Sequence, residues 1–335
     1  MANIPPEQEI MASWPKDGQV MVSVMCATFQ HVGLVEKAIA GFLGQQTNFV
    51  FEVIIHDDAS TDGTARIIER FAKDYPRIIR TVLQTDNQYS KGVKPFSSIM
   101  MPMSRGRYIA KCEGDDHWID PTKLQRQVDA LETDQEAVGC FTDAWNEMDG
   151  VRSSYMDGLY ANKPAVERLD QRTMILGQNI PACTIMVRRE AAVPLPSILN
   201  KSPVGDTVLY VHVTRMGPLL YLPGHTAVRT MHAGGVHSLK SKMQKYEVQW
   251  KLLPILDEVS GGRYTADIER RLTSVALTGW SEALGANERK AMERWWKEVV
   301  KRSDAGWTKT TKWRNWMKFK LPLAERWYGR LMDGR

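Results

Sequence analysis

The chain has 335 residues, 43% hydrophobic and 25% charged, with a formal net charge of +5. This is enough apolar sequence for one large α/β domain plus an extension, or for two smaller domains, and it excludes whole-chain disorder. Cys26, Cys112, Cys140 and Cys183 lack CxxC or CxxH spacing, which argues against a disulfide scaffold and a zinc site and fits a reducing, cytoplasmic setting.

The start of the chain lacks a basic segment followed by an apolar core, and no stretch approaches the roughly 18 apolar residues that span a bilayer, so neither a signal peptide nor an integral span is expected. Charge is uneven: residues 286–335 hold fourteen Lys/Arg against six Asp/Glu, a local +8, and the rest sums to −3. Such a local excess points to a partner surface for the tail.

In chain order, Val20–Cys26 is a β-branched run that breaks into Thr28-Phe29-Gln30-His31, after which Leu34, Val35, Ala38, Ile39, Phe42 and Leu43 recur at helical spacing. Phe51–Ile55 repeats the strand signal and ends at Asp57-Asp58. Ser60-Thr61-Asp62-Gly63-Thr64 then leads into a second helical stripe at Ile67, Ile68, Phe71 and Ala72, with Ser60 and Asp62 suited to capping it. Ile78–Leu83 and Tyr108–Cys112 read as the third and fourth strands. Asp120-Pro121 reads as cap and first residue of a helix whose buried stripe is Leu124, Val128 and Leu131. Strands alternating with helices predict right-handed crossovers and a mainly parallel sheet, and each polar cluster falls after a strand, at the edge where open α/β folds bind ligands. The alternation weakens from about residue 150; 176–187 and 208–222 mix strand and helix signals, Gly234-Gly235 marks a loop, and beyond about 240 the pattern is helical.

Two acidic clusters carry chemistry. A carboxylate at the end of the second strand can accept hydrogen bonds from a nucleobase imide or a ribose hydroxyl, and Asp58 is the candidate. Glu113-Gly114-Asp115-Asp116 crowds three carboxylates into four residues, which is unfavourable unless a cation neutralises them. Hard oxygen donors suit Mg²⁺ or Mn²⁺, ions that bind through few carboxylates plus substrate phosphates, so a diphosphate ligand is implied.

Val22-Ser23-Val24 with Thr28-Phe29, the run Gln45 to Thr64 that contains His56-Asp57-Asp58-Ala59-Ser60-Thr61-Asp62-Gly63-Thr64, and Glu113-Gly-Asp-Asp-His-Trp-Ile-Asp-Pro121 with Lys123-Leu124-Gln125 closely resemble the family 2 inverting glycosyltransferases over roughly residues 10–240. The resemblance implies the GT-A Rossmann-like fold with a helical C-terminal extension. It divides the chain into an N-terminal extension (1–19), a nucleotide-sugar-binding half (20–145), an acceptor-side half (146–240) and a basic, Trp-rich extension (241–335). It implies a nucleotide-sugar donor, with uridine the expected base, and Mn²⁺ or Mg²⁺. Ala27, Thr28 and Asp58 would hold the nucleoside, while Glu113 and Asp115 occupy the place of the family's Asp-x-Asp motif. Asp115 would be the metal ligand, with Asp116 its substitute, and Glu113 would contact ribose. Gln30 stands where the family commonly has Asn, and His117 where Tyr is frequent. Val204-Gly205-Asp206 resembles the segment presenting the catalytic base. Thr230 to Ser238 resembles the Arg-x-His-x-Gly-Gly loop, with His232 reaching diphosphate or metal and Arg229 displaced by one from the expected arginine. Lys91 is a candidate contact to phosphate or base, against the competing reading of a solvated lysine.

A sugar nucleotidyltransferase would need a Gly-rich, Arg-containing loop after the first strand, which Thr28–His31 does not supply. A catalytically silent nucleotide-sugar-binding module would have no need of Asp206. The expected acceptor is a glycan or lipid-linked hydroxyl in surface polysaccharide synthesis, with nucleic acid or protein the weaker alternative. Ala291, Met292, Trp295, Trp296, Val299 and Val300 form an amphipathic stripe, and a second segment from Trp307 to Met332 mixes Trp with Lys and Arg. That composition predicts peripheral attachment of residues 287–335 to the anionic inner face of the cytoplasmic membrane. The competing readings are packing of the stripe on the protein itself and, more weakly, a nucleic-acid surface.

Overall fold

The structure, a computed structural model, describes residues 4–156, 167–232 and 240–302. It divides into two compact units, Met1–Ser238 with Glu258–Gly261, and Leu239–Asp257 with Gly262–Arg335.

The first unit is built on one ten-stranded sheet. Its strands are β1 (Val20–Thr28), β2 (Val50–Asp57), β3 (Ile79–Leu83), β4 (Tyr108–Lys111), β5 (His117–Trp118), β6 (Gly139–Met148), β7 (Val151–Ser154), β8 (Glu167–Leu169), β9 (Met186–Arg188) and β10 (Leu219–Thr230). The order is β3-β2-β1-β4-β9-β6-β10-β5, with β7 beside β6 and β8 beside β10. β3, β2, β1 and β4 are mutually parallel, β9 runs antiparallel between β4 and β6, and β10 lies parallel to β6. The sheet is therefore parallel from β3 to β4 and mixed beyond.

Val22, Val24 and Cys26 of β1 and Phe51, Val53 and Ile55 of β2 turn one face into the core. α1 (Val35–Leu43), α2 (Thr64–Asp74) and α3 (Lys123–Thr133) add Ile39, Phe42, Ile68, Phe71, Leu124 and Leu131 to it. Each such side chain stabilises the fold by about 1.5–3 kcal/mol on burial, which is why the apolar spacing alone located these elements. β1 and β2 run two residues further than their apolar runs, because the parallel register continues through Ala27↔His56 and Thr28↔Asp57. α3 starts later than the Asp120-Pro121 signal predicts: Asp120 Oδ1 accepts from the Thr122 amide at 2.8 Å and its hydroxyl at 2.7 Å, closing a turn before the helix. The segment before β1 packs on this unit through Ile10 and through Trp14, edge-on to Phe51 at 5.1 Å.

The turn leading into β4 is held by Glu52, whose carboxylate accepts from Ser23 Oγ at 2.7 Å, from Arg105 and from Arg80. Burial pushes this carboxyl up, but the hydrogen bonds, Arg105 first, outweigh it and hold it below the ordinary range.

The second unit is helical: α5 (Lys242–Val259, as far as Asp257), α6 (Thr265–Gly285) and α7 (Arg289–Arg302). Trp295 is fully buried, 5.3 Å from Trp250 and so close to α6 that a Cβ on Gly279 would lie 2.7 Å from its ring. Met292, Trp295 and Val299, half of the expected amphipathic stripe, are thus core residues of this unit. The Trp307–Met332 segment and the Gly234-Gly235 loop lie outside the described residues. No helix among the described residues is long and apolar enough to cross a membrane.

Candidate active site

The loops that follow β1 and β2 are fastened to each other at the carboxyl edge of the sheet. Gln30, at φ 58°, donates its amide to Ser60 Oγ at 2.9 Å, and its side-chain oxygen accepts from the amides of Thr61 and Asp62 at 3.1 Å. Asp57 accepts from Thr28 Oγ1 and from the Ser60 amide, both at 2.9 Å, and Asp62 Oδ2 accepts from the Val32 amide at 3.0 Å. These acids shape the loops. Asp58 is buried and accepts from the amides of Gln88 at 2.7 Å and Tyr89 at 3.0 Å. Its carboxylate therefore pins the loop after β3 to the end of β2.

The acidic cluster continues the pairing of β4 with β1. Cys112 N donates to Met25 O at 3.1 Å and Gly114 N to Ala27 O at 3.0 Å, so the backbone of β1 fixes where Glu113 and Asp115 stand. Only glycine fits between them: a Cβ on Gly114 would sit 2.4 Å from Thr28 Cγ2.

Three side chains from distant segments converge beyond this point. His232 Nε2 lies 3.1 Å and His31 Nε2 3.9 Å from Asp115 Oδ2, and one ligand atom from each residue lies within 4.8 Å of the others. Burial holds the His31 imidazole below its ordinary pKa, which keeps it in the neutral form a metal binds. Two imidazoles and a carboxylate at this spacing are a donor set suited to a divalent transition ion.

Beside it, the Lys111 ammonium donates to Asp206 Oδ1 at 2.5 Å and to Glu113 Oε1. Asp206 stands in the first turn of α4 (Gly205–Val213). Burial alone would lower the Lys111 pKa, but Asp206 and Glu113 outweigh it and hold it above the ordinary lysine value. Burial pushes the Glu113 carboxyl up, with Lys111 opposing and Asp206 adding to the rise.

The expected site residues thus fall into distinct places. Asp115 and His232 meet, and Glu113 meets Asp206 through Lys111. Ala27 and Thr28 line the β1 end, Ala27 half-buried and Thr28 buried with its hydroxyl on Asp57. Asp116, expected as a substitute ligand, is outside the His31, Asp115 and His232 group. It is buried, its Oδ1 accepts from the Thr230 amide at 3.0 Å, and burial with the neighbouring Asp115 and Glu113 charges raises its pKa well above the carboxylate range. It ties the acidic loop to β10. Lys91 faces solvent, 3.7 Å from the exposed Asp86. Arg229 spans toward Asn146 Oδ1 at 3.3 Å and the Tyr155 ring.

Two residues of the cluster escaped the sequence reading. His31 had a signal, since it follows the first strand at the edge where every other polar cluster falls. Lys111 had one too, because a lysine inside a buried strand run demands a carboxylate partner.

The glycosyl transferase family 2 profile matches residues 23–193. An uncharacterized protein of Mycobacterium tuberculosis is 34% identical over 231 residues, 67% of this chain and 63% of its own length, so the chain spans rather less than two thirds of such relatives. The Escherichia coli protein WfaP, named a UDP-Glc:α-D-GlcNAc-diphosphoundecaprenol β-1,3-glucosyltransferase, is 27% identical over 50% of this chain and 61% of its own. Among solved structures, S. aureus TarS residues 1–349 in complex with UDP-GlcNAc superposes with a TM-score of 0.60 at 16% identity, covering 84% of this chain and 81% of that one. The fold is that of the GT-A glycosyltransferases, and the chain belongs to glycosyl transferase family 2.

Proposed function

We propose that this protein moves a sugar, with inversion, from a UDP-sugar to a hydroxyl of a glycan or lipid-linked acceptor, with a divalent cation held by Asp115, His232 and His31 and with Asp206 as base. The observation that carries it is the convergence of His31, Asp115 and His232 from three separate segments, with Glu113, two residues before Asp115, bridged by Lys111 to an aspartate in the first turn of α4. A nucleoside diphosphate leaving group supplies the phosphate oxygens that such a three-donor set lacks. Mn²⁺ is favoured over Mg²⁺, because Mg²⁺ prefers an all-oxygen shell. When bound, the cation offsets the charge that grows on the departing diphosphate.

The chain's own residues do the rest. Thr28 and Asp58 set the shape of the nucleoside end, Asp58 by holding the Gln88 and Tyr89 amides. Asp206 takes the proton of the acceptor hydroxyl as its oxygen bonds to the anomeric carbon and the bond from that carbon to the diphosphate oxygen breaks. A single carboxylate base is what one in-line displacement requires. The name of the WfaP relative, with its diphosphoundecaprenol-linked acceptor, supports a lipid-linked acceptor here. The basic, Trp-rich sequence from Trp307 to Met332 supports peripheral attachment at the membrane where such a lipid resides.

The test is a thermal-shift and calorimetric comparison of the wild type with Asp115→Asn, using UDP with and without Mn²⁺. Mn²⁺ should raise UDP affinity and melting temperature in the wild type and do neither in the variant. An Mn²⁺ effect that survives Asp115→Asn intact overturns the assignment.

A further inference from the structure

The proposed base does not stand alone. Asp206 comes from the first turn of α4, Glu113 from the loop after β4, and the two carboxylates are bridged by a lysine that is the last residue of β4. Lys111 lies on a central strand with neighbours on both sides, its Nζ 5.9 Å from the centre of the Phe96 ring and its side chain only 12% exposed. An ammonium so placed is costly to desolvate unless it is paired and hydrogen-bonded, and here both partners are carboxylates at the candidate site.

We propose that Lys111 is a positioning residue that acts through Asp206, clamping the base to the end of β4 and keeping it aimed beside Glu113. The clamp occupies Oδ1 of Asp206, which leaves Oδ2 to accept the proton of the incoming hydroxyl. It also couples the two halves of the site. Glu113 stands on the loop whose amides are bonded to β1, Asp206 on a helix from a later part of the chain, and the lysine fixes the distance between them. Without the ammonium, two neighbouring carboxylates repel, and the one on the helix end is free to turn away from the acceptor. Misplacement of a reacting group by about 1 Å costs on the order of 10²-fold in rate. Donor affinity should change far less than rate, because Asp115, His31 and His232 do not lean on Lys111 and only Glu113, expected at the ribose, does.

The proposal rests on Asp206 as the base, and the experiment separates the two. The probe is UDP-glucose or UDP-N-acetylglucosamine, whichever the wild-type protein hydrolyses with Mn²⁺, together with UDP for calorimetry. Lys111→Met should lower kcat by about 10²-fold while the UDP dissociation constant stays within about threefold. Lys111→Arg, which keeps the charge, should recover most of the rate. In an Asp206→Asn background, where a small residual rate is read by single-turnover hydrolysis, Lys111→Met should cost nothing further, because a residue acting through another has no effect once that other is gone. Lys111→Gln takes the same place in the cycle should Lys111→Met not fold. Losses that multiply in the double variant, UDP affinity falling with the rate, or Lys111→Arg no better than Lys111→Met would each overturn the clamp. Full activity in Asp206→Asn would instead remove the base assignment itself.

Discussion

Replacing Gly114 by alanine perturbs the candidate site at one contact. The added Cβ would lie 2.4 Å from Thr28 Cγ2, 3.3 Å from Thr28 Cβ and 3.2 Å from His31 Nδ1. The first distance is about 1 Å short of ordinary van der Waals contact, and the other two require shifts of only a few tenths of an ångström. Overpacking of this size costs roughly 1–3 kcal/mol of stability, well within what a domain of this size tolerates. The loop between Cys112 and Asp115 has to move off β1 to relieve it, carrying Asp115 away from His31 and His232. We expect a folded protein whose Mn²⁺-dependent UDP affinity and donor hydrolysis fall by on the order of 10²-fold. Thr28→Ser removes the offending Cγ2 while keeping the hydroxyl that donates to Asp57 Oδ1 at 2.9 Å. The pair Gly114→Ala with Thr28→Ser should therefore recover much of the loss. Circular dichroism, thermal melts and UDP calorimetry with Mn²⁺ make the comparison. Unchanged affinity in Gly114→Ala, or no recovery in the pair, would refute the steric reasoning.

Asp206→Asn should cut transfer and donor hydrolysis to a small residual rate while leaving UDP affinity nearly intact; affinity falling in step with rate would move Asp206 to a structural role. Lys123 is fully buried over the Trp118 ring, and burial pushes its ammonium from 10.5 down to about 8. The unfolded chain therefore binds more protons than the folded one between about pH 8 and 10, so this residue's contribution to stability rises with pH there, by on the order of 3 kcal/mol in all. The stability of Lys123→Met relative to wild type should accordingly fall as pH goes from 7.5 to 9.5, and a difference that is flat with pH would rule the depressed value out. For the membrane proposal, flotation with anionic liposomes should compare the full chain with one ending at Arg302. A cut at Ala286 would strip Trp295 out of the helical unit. A full chain that stays in solution at low and physiological salt would end the membrane reading.

What was legible in the sequence follows the physics of each signal. The strands and helices of the first half of the sheet were readable because their burial is written in apolar spacing at Val22, Val24, Ile39, Phe42, Phe51 and Val53. The Glu113-Gly-Asp-Asp run was readable because charge crowding needs a remedy. Its remedy was only half visible. The positions of His31 and Lys111 matter through long-range convergence, across 84 residues from His31 to Asp115 and 95 from Lys111 to Asp206, and no local periodicity records that. The amphipathic stripe of α7 misled for a related reason: a buried face and a membrane-facing one look alike in sequence, and only the seating of Trp295 against Gly279 and Trp250 tells them apart.

The same bookkeeping sorts the carboxylates, which residue type alone could not. Asp57, Asp58, Asp62 and Asp116 all accept hydrogen bonds from backbone amides. A carboxylate bonded to amides is part of the scaffold, since removing it breaks the bonds that hold those loop backbones in place. Asp115, Glu113 and Asp206 instead meet imidazoles and an ammonium. Those partners are titratable or exchangeable, and they can yield to a metal, a phosphate or a proton without unfolding a loop. The division explains why Asp116, an aspartate adjacent to Asp115, belongs to the architecture. It also implies that Asp58→Asn should act on donor affinity by loosening the Gln88–Tyr89 loop, whereas Asp115→Asn acts on the metal-dependent part alone. UDP titrations of the two variants with and without Mn²⁺ distinguish these outcomes: loss in both conditions for Asp58, and loss only of the Mn²⁺ increment for Asp115. Were Asp58→Asn to remove only the Mn²⁺ increment, the sorting of these acids by their hydrogen-bond partners would be wrong.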